Sequence, residues 1–478
     1  MSNPPPDSSN TATPWYRLLT RYHWLVFIVC SLGWAFDCMD QHLFTYVRAD
    51  AIGELMNLYP TSPEAINYAA LATSIMMIGW ATGGIIFGII GDKFGRARTM
   101  VFTILIYSLL TGLSAGSQTI WDFMIIRFLA GIGIGGQFAV GASLLAETMP
   151  APARPYVLGI MQVLSALGNV GAALIAMLFT ELAAAHMLPW SAWRCIFLFG
   201  SVPAILAYFV VRYIREPESW IASIKEGGRK NVGSVKELFS NPVLRKHVIL
   251  GMILASTGVI GAWGLALFSG ELSQKVAAGV ATKAVLDKHN LTSEADEGVT
   301  DDIRNEIKAG IKAEGGRWKA RNLLVYNLGA MAGMYGFTLG AVFWGRRMTF
   351  TVFKTGCIIF TSATFLYLNS AATQLLLVPL MGFFVMSMFG GYTIYFPELF
   401  PTRLRSTGVS FCYNVGRYVA ACGPLMIGGL TAAFAVYNTP NDSTIALRYA
   451  GVAMCSIYLL GIIVVWFLPE TKGKPLPE

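Results

Sequence analysis

Glu147-Thr-Met-Pro150-Ala-Pro-Ala-Arg154 returns 251 residues later as Glu398-Leu-Phe-Pro401-Thr-Arg-Leu-Arg405, with glutamate, proline and arginine at identical spacing. Two looser matches lie within a residue of that offset: Pro217-Glu218-Ser219 returns as Pro469-Glu470-Thr471, and Gly88 with Gly95-Arg96 returns as Gly340 with Arg346-Arg347. Self-similarity at a fixed offset marks a duplicated architecture. The chain therefore divides into two copies of one unit. A parallel duplication about an axis along a membrane normal is one way to build a midplane site between two halves that rock around it.

Composition places that unit in a membrane. Of 478 residues, 55% are hydrophobic and 13% charged, against about 25% charged in a soluble domain. Apolar stretches such as 24–47, 69–91 and 446–468 approach the ~20 residues that cross a bilayer core. Strands of a transmembrane barrel would alternate apolar and polar residues over about ten positions, and no stretch does so. Hydropathy and loop punctuation predict twelve helical spans, near 23–47, 69–91, 99–118, 121–146, 156–181, 192–213, 247–270, 322–344, 350–370, 373–395, 407–433 and 446–468. The expected fold is all-α, two pseudo-symmetric six-helix bundles.

The net charge of +8 reports topology rather than nucleic-acid binding. Most Lys and Arg of the short loops fall on the face that holds both termini, against Arg48, Arg194 and Arg448 on the other. Positive residues stay on the cytoplasmic side, so both termini are expected there, in a plasma or bacterial inner membrane. The expected layout is a disordered cytoplasmic N-terminus 1–22, a first bundle 23–213, a central cytoplasmic loop 214–246, a second bundle 247–468 and a cytoplasmic tail 469–478. The second bundle carries an external insertion, 271–321, whose charged composition predicts a solvated loop with helical patterning around Ile303, Ile307 and Ile311. The seven cysteines lie in apolar spans without metal or disulfide spacing, and the five histidines are scattered, so no metal, cofactor or disulfide is expected. No Walker phosphate loop is present, which counts against an ATP-driven pump.

Charges inside the spans are the candidate functional groups, because each costs about 2.5–3.5 kcal/mol at the bilayer centre. Asp37 and Asp40, three residues apart, share one helical face. Two carboxyls so close in poorly solvated surroundings do not both ionise easily, which suits binding and release of a proton. A helix-end acid facing outside water is the plainer alternative, especially for Asp40. Arg127 in the fourth span lies at about the same depth as Asp40 by the rise of 1.5 Å per residue, so the two are expected to pair, either as a switch or as a fixed structural ion pair. Arg417 falls near the midplane of the eleventh span with no acid in its own helix. A carboxylate ligand could take both prongs of its guanidinium, with Asn414 one turn away as a neutral contact; pairing with another helix is the competing explanation. Trp263 and Tyr392 are carried as further ligand contacts, although aromatic residues in spans more often pack or face lipid.

Gly88-Ile-Ile-Gly-Asp92-Lys93-Phe-Gly95-Arg96-Ala-Arg98 resembles the signature loop between the second and third helices of the major facilitator superfamily. Arg127-Phe-Leu-Ala-Gly131-Ile-Gly133-Ile-Gly135-Gly136 is similar to that superfamily's fourth-helix motif. The resemblance implies a secondary transporter, not an enzyme. Gly88, Asp92, Gly95, Arg96 and Arg98, with Glu147, Arg154, Glu398 and Arg405, are then expected to gate the cytoplasmic helix ends. Within the superfamily, Asp37-x-x-Asp40, Arg127 and Gly416-Arg417 resemble the aromatic acid/proton symporters and the wider carboxylate transporters, with Cys38 standing where that motif has glycine. That resemblance implies proton-coupled import of a small organic acid by alternating access. The expected partners are an organic anion, protons and lipid, and the transporter is expected to be a monomer that binds no nucleic acid. The ending Pro469-Glu470-Thr471-Lys472-Gly473 is sugar-porter-like, so a sugar/proton symporter is the alternative, and a transporter-like ligand sensor another.

Overall fold

A computed structural model describes residues 14–59, 62–227, 232–291, 299–420, 423–439 and 443–478. The spans, named here by ordinal, are Arg21–Met56, Pro63–Phe94, Arg96–Ser114, Ile120–Thr148, Arg154–Ala184, Ala192–Tyr213, Pro242–Lys288, Asp301–Phe343, Arg346–Tyr367, Ala371–Leu399, Arg405–Ala420 with Gly423–Ala433, and Ile445–Phe467. Ten of them are long and apolar enough to cross a membrane.

Local chemistry sets where the helices begin. Thr20 accepts from the His23 amide while the His23 ring accepts from the Thr20 amide, and Thr119 with Asp122 and Ser370 with Thr373 close the same reciprocal box. Each box satisfies amides that have no partner inside the helix. Ser62 and Asn241 cap helices that open on Pro63 and Pro242, where a missing N–H costs nothing.

The duplication is visible in packing. A Cβ on Gly135 of the fourth helix would lie 1.9 Å from the Trp80 carbonyl oxygen of the second, and one on Gly333 of the eighth 1.8 Å from the Phe383 carbonyl of the tenth. Both contacts need glycine because the backbones touch, the small-residue packing expected where lipid supplies no hydrophobic drive between helices. The sixth and twelfth helices are each broken once, after Phe199 and after Met454. Outward positions such as Leu109, Ile205, Leu376 and Ile463 are exposed apolar side chains, as a lipid-facing surface requires.

Three expectations need correction. Within 1–22, residues 1–13 lie outside the described residues, but Trp15–Leu18 is a 3-10 turn whose Trp15 stacks on Tyr156 at 5.3 Å, so this stretch is anchored. The central segment 214–246 carries two short helices, Glu218–Gly227 and Val235–Ser240. The insertion 271–321 is not a solvated loop. The seventh helix runs on to Lys288 and the eighth starts at Asp301, and Leu286, Val299 and Ile307 are buried between them with Ile303 and Ile311 packed alongside. The isoleucine spacing was a helix-pair seam under a charged outer face. Residues 292–298 of the insertion lie outside the described set.

Candidate functional site

The first helix continues to Met56, so Asp37 and Asp40 sit well inside it, 1% and 0% exposed. This removes the reading of Asp40 as a helix-end acid in water. Asp40 Oδ2 lies 3.7 Å from Arg127 Nη1. Arg127 is fixed by neighbours on the third helix, donating to Ser114 Oγ at 3.0 Å, Thr111 Oγ1 at 3.0 Å and the Leu110 carbonyl at 3.3 Å, and its guanidinium lies 4.8 Å from the Phe197 ring. The Asp40 separation exceeds hydrogen-bond range, so the two charges attract without being locked.

The carboxylate oxygens of both aspartates lack a hydrogen-bond partner among the described residues. Asp37 differs from Asp40 in having no ion pair there either, and the charged groups acting on it are Asp40 and Arg417. Arg417 comes from the other half, on the eleventh helix. Its guanidinium lies between two aromatic faces, Trp80 of the second helix at 3.8 Å and Tyr413 at 4.4 Å, and it donates to Asn414 Oδ1. Asn414 is occupied on both sides, since its Nδ2 donates to the Ser410 carbonyl at 3.0 Å. In this conformation it positions Arg417. Tyr392 donates to the Leu254 carbonyl at 2.8 Å and stacks on Phe396 at 5.1 Å, a packing arrangement inside the second bundle. Trp263 is half-buried in a π-helical turn, Gly261–Leu265, of the seventh helix.

The helix ends on the termini face are shut. Asp92 Oδ1 accepts from the Ser406 amide at 3.1 Å, and its Oδ2 accepts from the Thr407 amide at 2.8 Å and the Thr407 hydroxyl at 2.6 Å. These groups form the first turn of the eleventh helix, where unpaired amides and the helix dipole favour an anion. Glu147 Oε1 joins Arg96 and Arg405, each at 2.9 Å, and all three are buried. Arg405 also donates to the Pro477 carbonyl of the tail at 2.9 Å. Among the described residues, Glu147 makes no ion pair with Arg154 of its own repeat, nor Glu398 with Arg405. Arg405 instead crosses to the first half, Glu398 takes Arg346 at 2.6 Å, and Arg154 reaches only the Met149 carbonyl at 3.4 Å.

Gly88 lies where the halves meet, and a Cβ there would come 1.9 Å from Ser410 Oγ. Gly95 and Gly345 hold φ of 110° and 88°, values that L side chains rarely adopt. In each half a glutamate caps the helix that follows: Glu216 accepts from the amides of Arg96, Ala97 and Arg98, and Glu470 from those of Arg346 and Arg347. The sequence repeat paired Glu218 with Glu470, but Glu216 does the equivalent work two residues earlier. Arg98 contributes its amide here, while its side chain is exposed.

On the opposite face a cavity of about 1180 Å³ lies among the first, fifth, sixth and eighth helices, lined by His42, Asp50, Glu54, Asn169, Glu181 and Asn327 among others. It does not reach Asp37, Asp40, Arg127 or Arg417. The molecule is therefore closed on the termini face and recessed on the other, with the buried charges sealed between. Sequence reading missed Trp80, because an aromatic residue in a span gives no signal that it stacks on an arginine of the other half. It also missed Lys354, fully buried and donating to Thr257 Oγ1 at 2.7 Å, which was read as part of an apolar span.

Two helical bundles meeting around buried, incompletely paired charges, closed at one end, define a polytopic transporter. The chain belongs to the Major Facilitator Superfamily, whose profile matches residues 25–281. It is 29% identical over 464 residues to a putative metabolite transport protein of Haemophilus influenzae, covering 96% of this chain and 99% of that one. It is 26% identical over 461 residues to the cis,cis-muconate transport protein of Acinetobacter baylyi, covering 94% and 95%. Among solved structures it resembles the proton:xylose symporter XylE bound to 6-bromo-6-deoxy-D-glucose, with a TM-score of 0.65 at 16% identity over 95% of this chain and 98% of that one. At that identity the likeness concerns the fold.

Proposed function

We propose that this protein imports a small organic acid together with a proton, by alternating access, across a plasma or bacterial inner membrane with both termini in the cytoplasm. The observation that carries the reading is that Asp37, without a hydrogen-bond partner among the described residues, and Arg417 of the other half are both buried and near enough to act on each other electrostatically. A buried carboxylate and a buried guanidinium that do not grip each other leave each free for another partner. A proton neutralises the acid and a carboxylate ligand neutralises the arginine, so the two cargoes are electrostatically linked. The similarity to a muconate transport protein supports an acid as cargo.

In this reading Asp37 and Asp40 carry the proton, and Arg127 is the partner that Asp40 leaves and regains. Arg417 takes the substrate carboxylate and Asn414 orients it. Trp263 and Tyr392 shape the second-half wall, and the gate of Gly88, Asp92, Gly95, Arg96, Arg98, Glu147, Arg154, Glu398 and Arg405 sets which face is open. The transporter works as a monomer with lipid around it.

The test is uptake of cis,cis-muconate and benzoate into proteoliposomes under an imposed pH gradient. Asp37→Asn keeps shape without titrating, so gradient-driven accumulation collapses while counterflow exchange persists. Arg417→Gln lowers acid affinity about ten- to a hundredfold, and Arg417→Lys lowers it less. Undiminished gradient-driven uptake by both Asp37→Asn and Asp40→Asn, or intact acid binding by Arg417→Gln, overturns the assignment.

A further inference from the structure

We propose that Trp80 is a substrate-binding residue, its indole N–H being the second donor for the carboxylate that Arg417 receives. The inference rests on the acid reading above and deepens it. Trp80 is 5% exposed, and its Nε1 has no hydrogen-bond partner among the described residues. A buried indole N–H normally finds one. The ring lies 3.8 Å from Arg417 Cζ, and Tyr413 covers the guanidinium from another side at 4.4 Å.

Arginine carries only donors, so Arg417 cannot satisfy Trp80. Two stacked planar groups direct their N–H bonds sideways and not at each other. The indole donor is left at the edge of a ring whose centroid is 3.8 Å from the guanidinium carbon, within reach of a ligand that Arg417 holds. A carboxylate, with two acceptor oxygens close together and a negative charge for the guanidinium, can accept from both donors at once. With the aromatic faces of Trp80 and Tyr413 occupied by the guanidinium, the edge is the side left for it, so a flat acid presented in plane, aromatic or conjugated, fits best.

The two donors belong to different halves, Trp80 to the second helix and Arg417 to the eleventh. An acid bridging them ties the halves together at the midplane. Binding is then strongest while the halves are apposed around Arg417, and it weakens when they part.

The experiment uses the full-length purified protein with benzoate as probe and benzamide as the uncharged control. Trp80→Phe keeps a ring over Arg417 and removes only the donor. Expected are an unchanged thermal midpoint without ligand, benzoate affinity weakened about tenfold, and no comparable change for benzamide. In protein labelled with 5-fluorotryptophan, the 19F resonance assigned to Trp80 by that substitution moves on adding benzoate. If Arg417→Gln abolishes benzoate binding while Trp80→Phe binds as the parent does, Trp80 is a packing residue and the inference falls with the acid reading intact. If Arg417→Gln also binds as the parent does, or the parent binds no acid, the acid reading falls and takes this inference with it. Should Trp80→Phe not fold, an unmoved Trp80 resonance under saturating benzoate overturns the proposal on the unsubstituted protein.

Discussion

Asp92→Asn separates the energy of the closed termini face from the stability of either half. The carboxylate makes two kinds of contact. Its ion pair with Arg96, at 3.0 Å, lies within the first half and is expected in both the open and the closed state, so its loss largely cancels from the equilibrium between them. The hydrogen bonds from Ser406 N, Thr407 N and Thr407 Oγ1 cross to the second half and exist only when this face is shut. Asparagine retains one acceptor oxygen and turns an NH2 toward backbone donors, so at least one of the three bonds is lost and the remainder lose their charge. Hydrogen bonds to charged groups contribute about 1.5–3 kcal/mol and neutral ones about 0.5–1.5; the difference, with the lost helix-terminus charge, sums to about 2–4 kcal/mol. The closed-to-open ratio should fall about 30- to 1,000-fold. Paired spin labels at Phe94 and Met348, both exposed and in opposite halves, report it: the distance distribution of Asp92→Asn shifts toward the longer, open population. A distribution that matches the parent's would refute the assignment of these bonds to gating.

Three further outcomes are expected. Glu147→Gln leaves Arg96 and Arg405 buried as neighbouring like charges, and removing the centre of such a cluster costs about 3–5 kcal/mol; thermal unfolding should show it as far more damaging than Arg405→Gln, after which Glu147 still holds Arg96 at 2.9 Å. Gly88→Ala places a methyl 1.9 Å from Ser410 Oγ and 2.4 Å from its Cβ, so transport should stop with the termini face held open, and Gly88→Ala/Ser410→Gly should restore part of the flux. Burial pushes the Glu470 carboxyl up, but the amides of Arg346, Arg347, Lys472 and Thr471 outweigh it and hold the group below its usual 4.5. A depressed carboxyl stabilises the fold above its unfolded value and loses that contribution as pH falls through the folded one. Glu470→Gln should therefore lower the thermal midpoint at pH 7, with the gap narrowing below 4.5.

The spans were legible because lipid imposes a length and an apolarity that few other pressures mimic, and the duplication because glycine and charge are needed at the same loop positions in both halves. The nearness of Asp40 and Arg127 could be read from depth alone, since helix rise is fixed and both are intramembrane charges. Partner choice was not legible. The repeat brings Glu147, Arg154, Glu398 and Arg405 to equivalent helix ends, but side chains on converging helix ends choose among all neighbours. The insertion failed for a related reason: its charges describe the outer face of a helix pair, and composition averages that face with the buried seam of Ile303, Ile307 and Ile311.

The repeat also breaks where an acid matters most. Asp92, three residues before Gly95, has no acidic counterpart before Gly345, where Val342, Phe343 and Trp344 stand. Among the described residues, no acidic side chain of the second half is seen to accept from the first turn of the fifth helix as Asp92 does from the eleventh, and Arg154 there makes no ion pair. Closure on this face therefore leans on one side, where the eleventh helix meets the second and fourth and Gly88 also meets Ser410. A hinge with one strong seam should open first along the weaker one, between the fifth and eighth helices. A Gly159 Cβ would meet Thr338 Oγ1 there at 1.9 Å, so that contact is tight in shape but has no charge to hold it.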